Sequence, residues 1–322
     1  MTRRLSVLVL VGVLATAGTG ALLIARERAD SASERSTPTS TGLALVTVAT
    51  QGELLAAVVG STGSGKTGAL VVPPSTMVVI PGQGEATVGD ALQLEPRAAA
   101  TAISNLLGVW ISDSATVEAD RMAAVAYAEG VEIGGDAATA TELSSMLSEP
   151  DPGGAAALQI VLKALAETGT TWDADDLAEA HNGGHVVDAL SAVEGENVVR
   201  LQTEEVAADV FRASPEQMTD ALVAAFGGPA EVATPVIVLN GNGVPGIGEK
   251  VAERLIPGGF RVAVSQNASE FDHPETLIVV GSPDDVTLAE GVRDLLGVGS
   301  VSVSVGSGIA PVTVVVGEDF SG

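Results

Sequence analysis

One stretch constrains this chain more than any other, the run from Leu5 to Ile24 that contains no charged residue. An α-helix rises about 1.5 Å per residue, so a run of roughly 20 residues spans the roughly 30 Å hydrocarbon core of a bilayer. Two arginines precede the run and two more follow it, at positions 26 and 28. Residues 5–24 are therefore predicted to form a transmembrane helix behind a short cytoplasmic tail, residues 1–4.

The flanking charges also predict an orientation. Arginine and lysine are enriched on the cytoplasmic side of a membrane span, so the N-terminus is expected inside the cell and the bulk of the chain outside. A cleaved signal peptide is the alternative, because residues 15–21 offer small side chains near a cleavage position. The run is longer than a typical signal-peptide core, which favours an uncleaved anchor. The expected localisation is the cell membrane, single-pass, with the bulk extracytoplasmic.

The charge balance excludes several partners. The chain has 41 acidic and 15 basic residues, a formal net charge of −26. Such a chain repels nucleic acid and anionic lipid head groups, which disfavours transcription regulation in the cytoplasm. It contains no cysteine, so disulfides and thiolate chemistry are excluded. Aromatic residues make up 2% of the chain, too few to predict stacking platforms for sugars or bases.

Turn and linker signals divide the exported region into parts. Residues 25–42 are small and polar and predict a flexible tether. Residues 43–228 alternate β-branched runs with helical patterns, including a helix over 89–107 and a strand that starts at Trp110, which predicts an α/β domain. A linker at 229–234 precedes residues 235–322. Their β-α-β-β-α-β-β order predicts a small two-layer α+β sandwich.

The string Gly60–Thr67 fits the G-x-x-x-x-G-K-[ST] pattern of a phosphate-binding loop. That loop needs a following helix, whose N-terminus faces the phosphates together with the loop amides. Pro73 and Pro74 follow too soon for such a helix, and a Gly/Ser-rich hairpin turn explains the same letters. Lys66-Thr67-Gly68 also fits the K-T-G of penicillin-binding enzymes, but their S-x-x-K occurs nowhere in the sequence.

A second glycine string, Gly241-x-Gly243-x-x-Gly246, follows a predicted strand and precedes a predicted helix, as in dinucleotide-binding folds. The next strand ends in Ser265-Gln266-Asn267, without the acidic residue that would bind a ribose hydroxyl. Further βαβ repeats are also missing. The glycines are therefore predicted to serve a tight strand-to-helix turn, and no cofactor is expected.

Metal-ligating patterns are weak. His181 and His185 flank two glycines, which break the helix that would place both imidazoles on one face. The carboxylates of Asp173, Asp175 and Asp176 could hold calcium, but the spacing lacks the glycine and the distal glutamate of an EF-hand loop. They are predicted to favour a helix start, where negative charge suits the dipole. No metal site and no catalytic residue are predicted.

Residues 71–92 (VVPPSTMVVIPGQGEATVGDAL), residues 98–125 (AAATAISNLLGVWISDSATVEADRMAAV) and residues 130–135 (GVEIGG) together resemble the LytR–CpsA–Psr (LCP) domain. Members of that family transfer wall polymers from polyprenyl-pyrophosphate carriers onto peptidoglycan. Their site uses arginines and carboxylates to hold the pyrophosphate and a divalent cation. The resemblance implies an α/β fold and a function in the cell envelope.

The sequence departs from this family where the family's charges stand. The family's "PRDT" is Pro73-Pro74-Ser75-Thr76 here, Ser64–Thr67 carries no arginine or aspartate, and the later "YvR.R" segment has no counterpart in residues 136–188. A pyrophosphate held without such groups would keep its charge uncompensated. The resemblance therefore implies a degenerate, non-catalytic member that binds a wall polymer or partners an active LCP enzyme.

An alternative stays open. The chain could be a divergent LCP phosphotransferase that attaches glycopolymers from polyprenyl-pyrophosphate carriers to peptidoglycan. Arg97, Arg121 or Arg200 would then replace the missing groups.

The C-terminal part resembles the LytR C-terminal domain, an accessory module of envelope proteins. The family pattern "V.V.NG.G..G" stands at Val236–Gly246, "GF.V" stands at Gly259–Val262, and the closing "vtvvlG.Df" stands at Val312–Phe320. The resemblance brings no catalytic residues with it. It marks a motif loop whose role is unassigned, formed by Asn240, Gly241, Gly243 and Gly246.

Overall fold

The computed structural model describes residues 42–133, 135–228, 233–304 and 310–322. The predicted cytoplasmic tail and transmembrane helix, and nearly all of the predicted tether, lie outside these residues. Among the described residues, no helix is both long enough and apolar enough to cross a bilayer. The described residues all belong to one compact unit. The predicted boundaries between its two parts, at 228 and 235, stay predictions.

The first part contains a six-stranded mixed sheet, two-stranded ribbons and several helices. In chain order the elements are β1 Gly42–Ala49, β2 Leu54–Ser61, β3 Gly68–Val72, β4 Met77–Ile80, β5 Gly84–Thr87, α1 Val88–Leu92, α2 Pro96–Leu107, β6 Asp113–Glu118, α3 Ala119–Ala128, β7 Glu132–Ile133, β8 Asp136–Ala137, α4 Ala140–Leu147, α5 Gly153–Thr168, β9 Glu179–His181, α6 Gly183–Ser191, β10 Val198–Arg200, β11 Glu204–Ala207, β12 Val210–Arg212 and α7 Pro215–Phe226.

The six-stranded sheet has the order β10-β3-β2-β1-β6-β9. Strands β1, β3, β6 and β10 run parallel, whereas β2 and β9 run antiparallel to them. Strand β3 is buried along its whole length, because helices cover both faces of the sheet. Helices α3 to α6 pack on one face, and α1, α2 and α7 pack on the other. This arrangement confirms the predicted α/β fold of the first part.

The second part is a five-stranded sheet with two helices on one face. Its elements are β13 Thr234–Asn240, α8 Ile247–Leu255, β14 Phe260–Asn267, β15 Leu277–Val280, α9 Val286–Leu296, β16 Ser300–Val303 and β17 Val312–Val316. The strand order is β14-β13-β17-β15-β16. Strand β13 is parallel to both neighbours, and β15 runs antiparallel to β17. The two helices and the sheet share one core, which confirms the predicted β-α-β-β-α-β-β sandwich.

Some local predictions were wrong. The helix predicted over 89–107 is two helices, because Pro96 has no N–H to continue α1 and instead begins α2. The strand predicted at Trp110 begins at Asp113. Trp110 itself packs against the core of the second part. Strand β5 and both strands of the ribbon β11–β12 were not predicted, since each is only three or four residues long.

Candidate functional site

The two parts meet along β14, an edge strand of the second sheet. Asn105 of α2 is 3% exposed and reaches this edge. Its Nδ2 donates hydrogen bonds to the carbonyl oxygens of Val79 at 3.0 Å and Val262 at 2.9 Å, and its Oδ1 accepts the N–H of Val262 at 2.6 Å. One carboxamide therefore pairs backbone groups that the edge would otherwise bury unsatisfied.

The turn between β4 and β5 packs beside the start of α8. The N–H of Gly82 donates to Oγ of Ser265 at 2.7 Å. A Cβ on Gly248 would lie 2.6 Å from the backbone nitrogen of Gly82, so this approach requires a glycine. An ion pair joins Nε of Arg97 on α2 to Oε1 of Glu253 on α8 at 2.5 Å. These contacts fix the turn against the second sheet.

A cleft of about 420 Å³ opens between this turn and the carboxyl ends of β13 and β14. We call it the junction cleft. Ligands of open α/β sheets bind outside the carboxyl ends of parallel strands, and small-molecule sites span roughly 300–1,000 Å³. The junction cleft meets both conditions. Its polar and aromatic side chains are Gln83, Asn240, Glu249, Ser265, Gln266, Asn267 and Phe271.

The motif loop Asn240, Gly241, Gly243 and Gly246 connects β13 to α8, and three of its four residues line the junction cleft. Oδ1 of Asn240 accepts the N–H of Gly243 at 2.9 Å. A Cβ on Gly241 would lie 2.8 Å from the carbonyl oxygen of Val316. Gly243 and Gly246 have φ of 71° and 75°, which favours glycine. The backbone of the turn therefore accounts for each glycine without a dinucleotide.

Neutral amides are the most numerous polar side chains that line the junction cleft. Gln83, Gln266 and Asn267 are exposed, so their carboxamides face solvent. A carboxamide can both donate and accept hydrogen bonds. Phe271 is 51% exposed although it is apolar, and its ring lies beside Gly243. The cleft thus offers neutral hydrogen-bonding groups and one aromatic face.

Glu249 is the ionisable residue among the described residues that line the junction cleft. Burial raises the pKa of its carboxyl group above the ordinary value, and the negative charge of Glu253 raises it further. The positive charge of Arg97 opposes both effects. No lysine or arginine lines this cleft within the described ranges, so its chemistry does not suit a highly charged anion.

A second cleft, of about 300 Å³, lies between the first sheet and the segment that joins α1 to α2. Leu45, Leu92 and Ala99 belong to its apolar wall, and the exposed carboxylates Glu118 and Glu179 also line it. In the part of the chain that the structure describes, no arginine or lysine lines it. A diphosphate placed here would meet negative charge without compensation.

The structure does not bring Arg97, Arg121 and Arg200 together. Arg97 pairs with Glu253 at the junction, and Nε of Arg121 donates to Oδ1 of the buried Asp176 at 2.7 Å. Arg200 ends β10, which lies four strand positions from β6, the strand that leads into the helix of Arg121. At about 4.8 Å per strand, those positions are roughly 19 Å apart.

The phosphate-loop string Gly60–Thr67 connects the antiparallel strands β2 and β3, which confirms the hairpin interpretation. Two hydroxyl groups of the turn are already used. Oγ1 of Thr62 donates to the carbonyl oxygen of Phe226 at 3.1 Å, and the hydroxyl of Ser64 donates to the same oxygen. These bonds satisfy a carbonyl in the last turn of α7, where helices leave such groups unpaired.

The histidines and the aspartate cluster occupy separate local structures. His181 ends β9 and His185 lies in the first turn of α6, with Asn182 between them at φ 55°. Nδ2 of Asn182 donates to the buried carboxylate of Asp113 at 2.6 Å. The aspartates at 173, 175 and 176 lie at a short 3₁₀ turn, where Oδ2 of Asp176 accepts the N–H of Asp173 at 2.8 Å. Within the described residues, no group of three or more potential ligands is arranged to hold a metal ion.

Sequence reasoning located the motif loop but missed the rest of the junction cleft. The segment Ser265–Asn267 could have been found, because it ends a strand parallel to β13 and such ends gather at one edge. Gln83 and Phe271 carry no comparable signal, since a turn of the first part and a loop of the second part meet only through the junction.

Comparisons with known proteins identify the second part. Residues 233–320 match the family model of the LytR C-terminal domain, described as LytR cell envelope-related transcriptional attenuator. The match confirms the predicted resemblance of this segment. No curated protein matches the sequence.

Several solved structures superpose on part of the chain. A transcriptional regulator from Enterococcus faecalis is 14% identical, with 59% of this chain and 89% of that chain covered and a TM-score of 0.45. TagV from Bacillus subtilis is 13% identical, with 57% and 96% covered and a TM-score of 0.43. The LytR-CPS2A-psr family protein YwtF (TagT) from Bacillus subtilis, with bound octaprenyl pyrophosphate lipid, is 13% identical, with 61% and 94% covered and a TM-score of 0.45.

Proposed function

We propose that this chain is a cell-envelope protein, anchored in the membrane by residues 5–24, that binds a neutral stretch of wall glycan in the junction cleft without transferring it. The envelope assignment is supported by the LytR C-terminal domain at residues 233–320. The binding assignment rests on the composition of the cleft. The net charge of −26 disfavours an anionic polymer as the ligand.

One observation carries the proposal: exposed carboxamides and an exposed phenylalanine share the junction cleft. Sugar hydroxyls both donate and accept hydrogen bonds, and the amides of Gln83, Gln266 and Asn267 do the same. The apolar face of a sugar ring can lie against the ring of Phe271. Aromatic residues are too few in this chain to predict a platform of several stacked rings, and the binding proposed here uses the single ring of Phe271.

The absence of transfer chemistry is supported by the placement of the charges. The described lining of the second cleft has carboxylates and no guanidinium group. The three candidate arginines lie on separate elements, and two of them are paired with carboxylates. A phosphoryl-transfer site instead needs cations that converge on the phosphate oxygens.

Co-sedimentation tests the binding site. The full-length chain in non-ionic detergent is mixed with insoluble peptidoglycan from which charged secondary polymers have been removed. We expect the chain to sediment with it, and we expect Phe271→Ala to weaken binding about tenfold through loss of ring contact. Tyr127→Ala is the matched control, because Tyr127 is a 59% exposed aromatic residue on α3, outside the residues that line the cleft. Equal binding by both variants would exclude the junction cleft as the glycan site.

The alternative, a divergent LCP phosphotransferase, is supported only by the three arginines. Incubation of the full-length chain with a polyprenyl-pyrophosphate-linked glycan and peptidoglycan separates the two functions. We expect no covalent attachment of the glycan. Attachment that is lost on Arg97→Ala, Arg121→Ala or Arg200→Ala would overturn the non-catalytic proposal.

Partnership with an active LCP enzyme is the remaining possibility for a non-catalytic chain. In that case the wild type and Phe271→Ala would recover the same enzyme from solubilised membranes, and neither would sediment with stripped peptidoglycan.

A further inference from the structure

Arg261 on β14 is a cation that pairs with no described side chain. It is half-buried, and its Nε is buried with no hydrogen-bond acceptor among the described residues. The chain carries 41 acidic residues, yet none of those described pairs with Arg261. Buried donors without acceptors are rare in folded proteins, and each requires a physical reason.

A second arginine lies at the same place. Arg212 ends β12, and both arginines line a cleft of about 210 Å³ between the two parts of the chain. We call it the arginine cleft. Its other described walls are apolar or neutral, as with Met77, Asn105 and Met218, and no described aspartate or glutamate lines it. Pro215, the first residue of α7, also lines the cleft, so the N-terminal end of that helix lies beside it.

The arrangement costs stability when it is empty. Burial lowers the pKa of Arg261, and among the described residues no carboxylate opposes that effect. A charged group partly removed from water without a counter-charge destabilises the fold. Residues that break a folding rule in this way concentrate at functional sites, where a ligand supplies the missing interaction.

We propose that the arginine cleft binds a small oxyanion, a carboxylate or a phosphate group, between Arg261 and Arg212. The planar guanidinium group matches both anions through two parallel hydrogen bonds. Arg212 is held by Glu85 in an exposed pair at 2.9 Å, which an anion can replace at small cost. The site is separate from the junction cleft, so its existence does not depend on glycan binding.

Titration of the full-length chain in non-ionic detergent tests the site. Sodium phosphate and sodium acetate are used in separate arms, with chloride added to keep the ionic strength constant. We expect saturable binding in at least one arm, which identifies the preferred group. Arg261→Gln should weaken that binding by at least about tenfold, because a charge-assisted bidentate contact is lost.

Arg293→Gln is the matched control, because it removes the same charge from an arginine that pairs with its own neighbour, Asp294, on α9. We expect this control to bind the anion within about twofold of the wild type, as long-range charge alone has little effect at moderate salt. Binding in neither arm, or equal loss in both variants, would overturn the proposal.

Thermal unfolding separates binding from a structural role of Arg261. Without added anion, Arg261→Met should keep or raise the midpoint, because the variant removes an uncompensated buried charge. The bound anion should raise the midpoint of the wild type and leave that of the variant unchanged. A lowered midpoint for Arg261→Met without anion, with no anion effect on the wild type, would show that Arg261 serves the fold alone.

Discussion

Replacement of Asn105 by alanine tests the joint between the two sheets. The substitution removes three hydrogen bonds at once and leaves the carbonyl oxygens of Val79 and Val262 and the N–H of Val262 without partners. All three groups lie where the edge strand β14 meets the first part of the chain. Asn105 lies inside α2, where alanine is favourable, so the substitution should not disturb the helix backbone.

The magnitude follows from the groups left unpaired. A buried donor or acceptor that loses its partner costs about 1–3 kcal/mol. Asn105 also lines the arginine cleft, so water can enter and satisfy part of the loss. We therefore expect Asn105→Ala to lower the free energy of unfolding by about 3 kcal/mol, near the lower end of the summed cost of the three unpaired groups. For a domain of this size, that corresponds to a midpoint lower by roughly 6–12 °C.

Urea unfolding followed by circular dichroism measures the loss. Hydrogen exchange of the peptide that spans Phe260–Asn267 locates it, because the Val262 amide is protected by Asn105 in the wild type. Asn267→Ala is the control, since Asn267 is exposed and should change stability by no more than about 0.5 kcal/mol. If Asn105→Ala matches this control in stability and in exchange, the carboxamide does not hold the edge of β14.

Three further predictions, one of them with its own control, test other contacts. Gly248→Ala should lower the thermal midpoint because its Cβ would meet the backbone of Gly82, whereas Gly291→Ala, in open space on α9, should raise it by a few degrees. Because the pKa of Glu249 is raised in the folded protein, its ionised carboxylate destabilises the fold above that pKa. Glu249→Gln should therefore raise the thermal midpoint at pH 7. This increase in the midpoint should vanish below about pH 4, the pKa range of glutamate in an unfolded chain. Arg121→Ala should cost about 1–2 kcal/mol in urea unfolding, because Oδ1 of the buried Asp176 carboxylate, in the turn before β9, loses its hydrogen-bond donor.

Helices with strong local signals were predictable from the sequence. Ser214 caps α7 through the N–H of Gln217, and Pro215 occupies the first helical position. The pattern also predicts a helix over Val286–Leu296 that stops at Gly297, and the structure confirms both bounds, with Gly297 in the left-handed conformation. These signals lie within a few residues of the helix ends, so no distant contact is needed to interpret them.

Elements that depend on distant contacts were not predictable. Trp110 carries a strand-like pattern, but its side chain packs against the core of the second part instead of entering a sheet. The strand β11 is exposed along its length and shows no alternation of apolar and polar residues. In both cases the local pattern is weak and tertiary packing decides the conformation.

The same contrast between local signals and distant contacts holds for the candidate sites. The glycines of the motif loop could be assigned to a turn because the turn requires them locally. That Arg212 and Arg261 line the same cleft could not be foreseen, since one ends a short ribbon of the first part and the other lies in an edge strand of the second. Their positions in the sequence carry no pattern that would join them.

The pairing of β14 with the first part bears on gene fusion and domain exchange. Strand β14 forms one edge of the sheet in the family segment, residues 233–320. Its backbone hydrogen bonds at Val262 are completed by Asn105, which lies outside that segment. A recombinant protein that carries this segment alone would expose the unpaired edge of β14, which could then pair with another chain. A protein that receives this segment would have to supply an amide side chain at the edge of β14. Otherwise, that edge would need a lysine or a proline to block pairing.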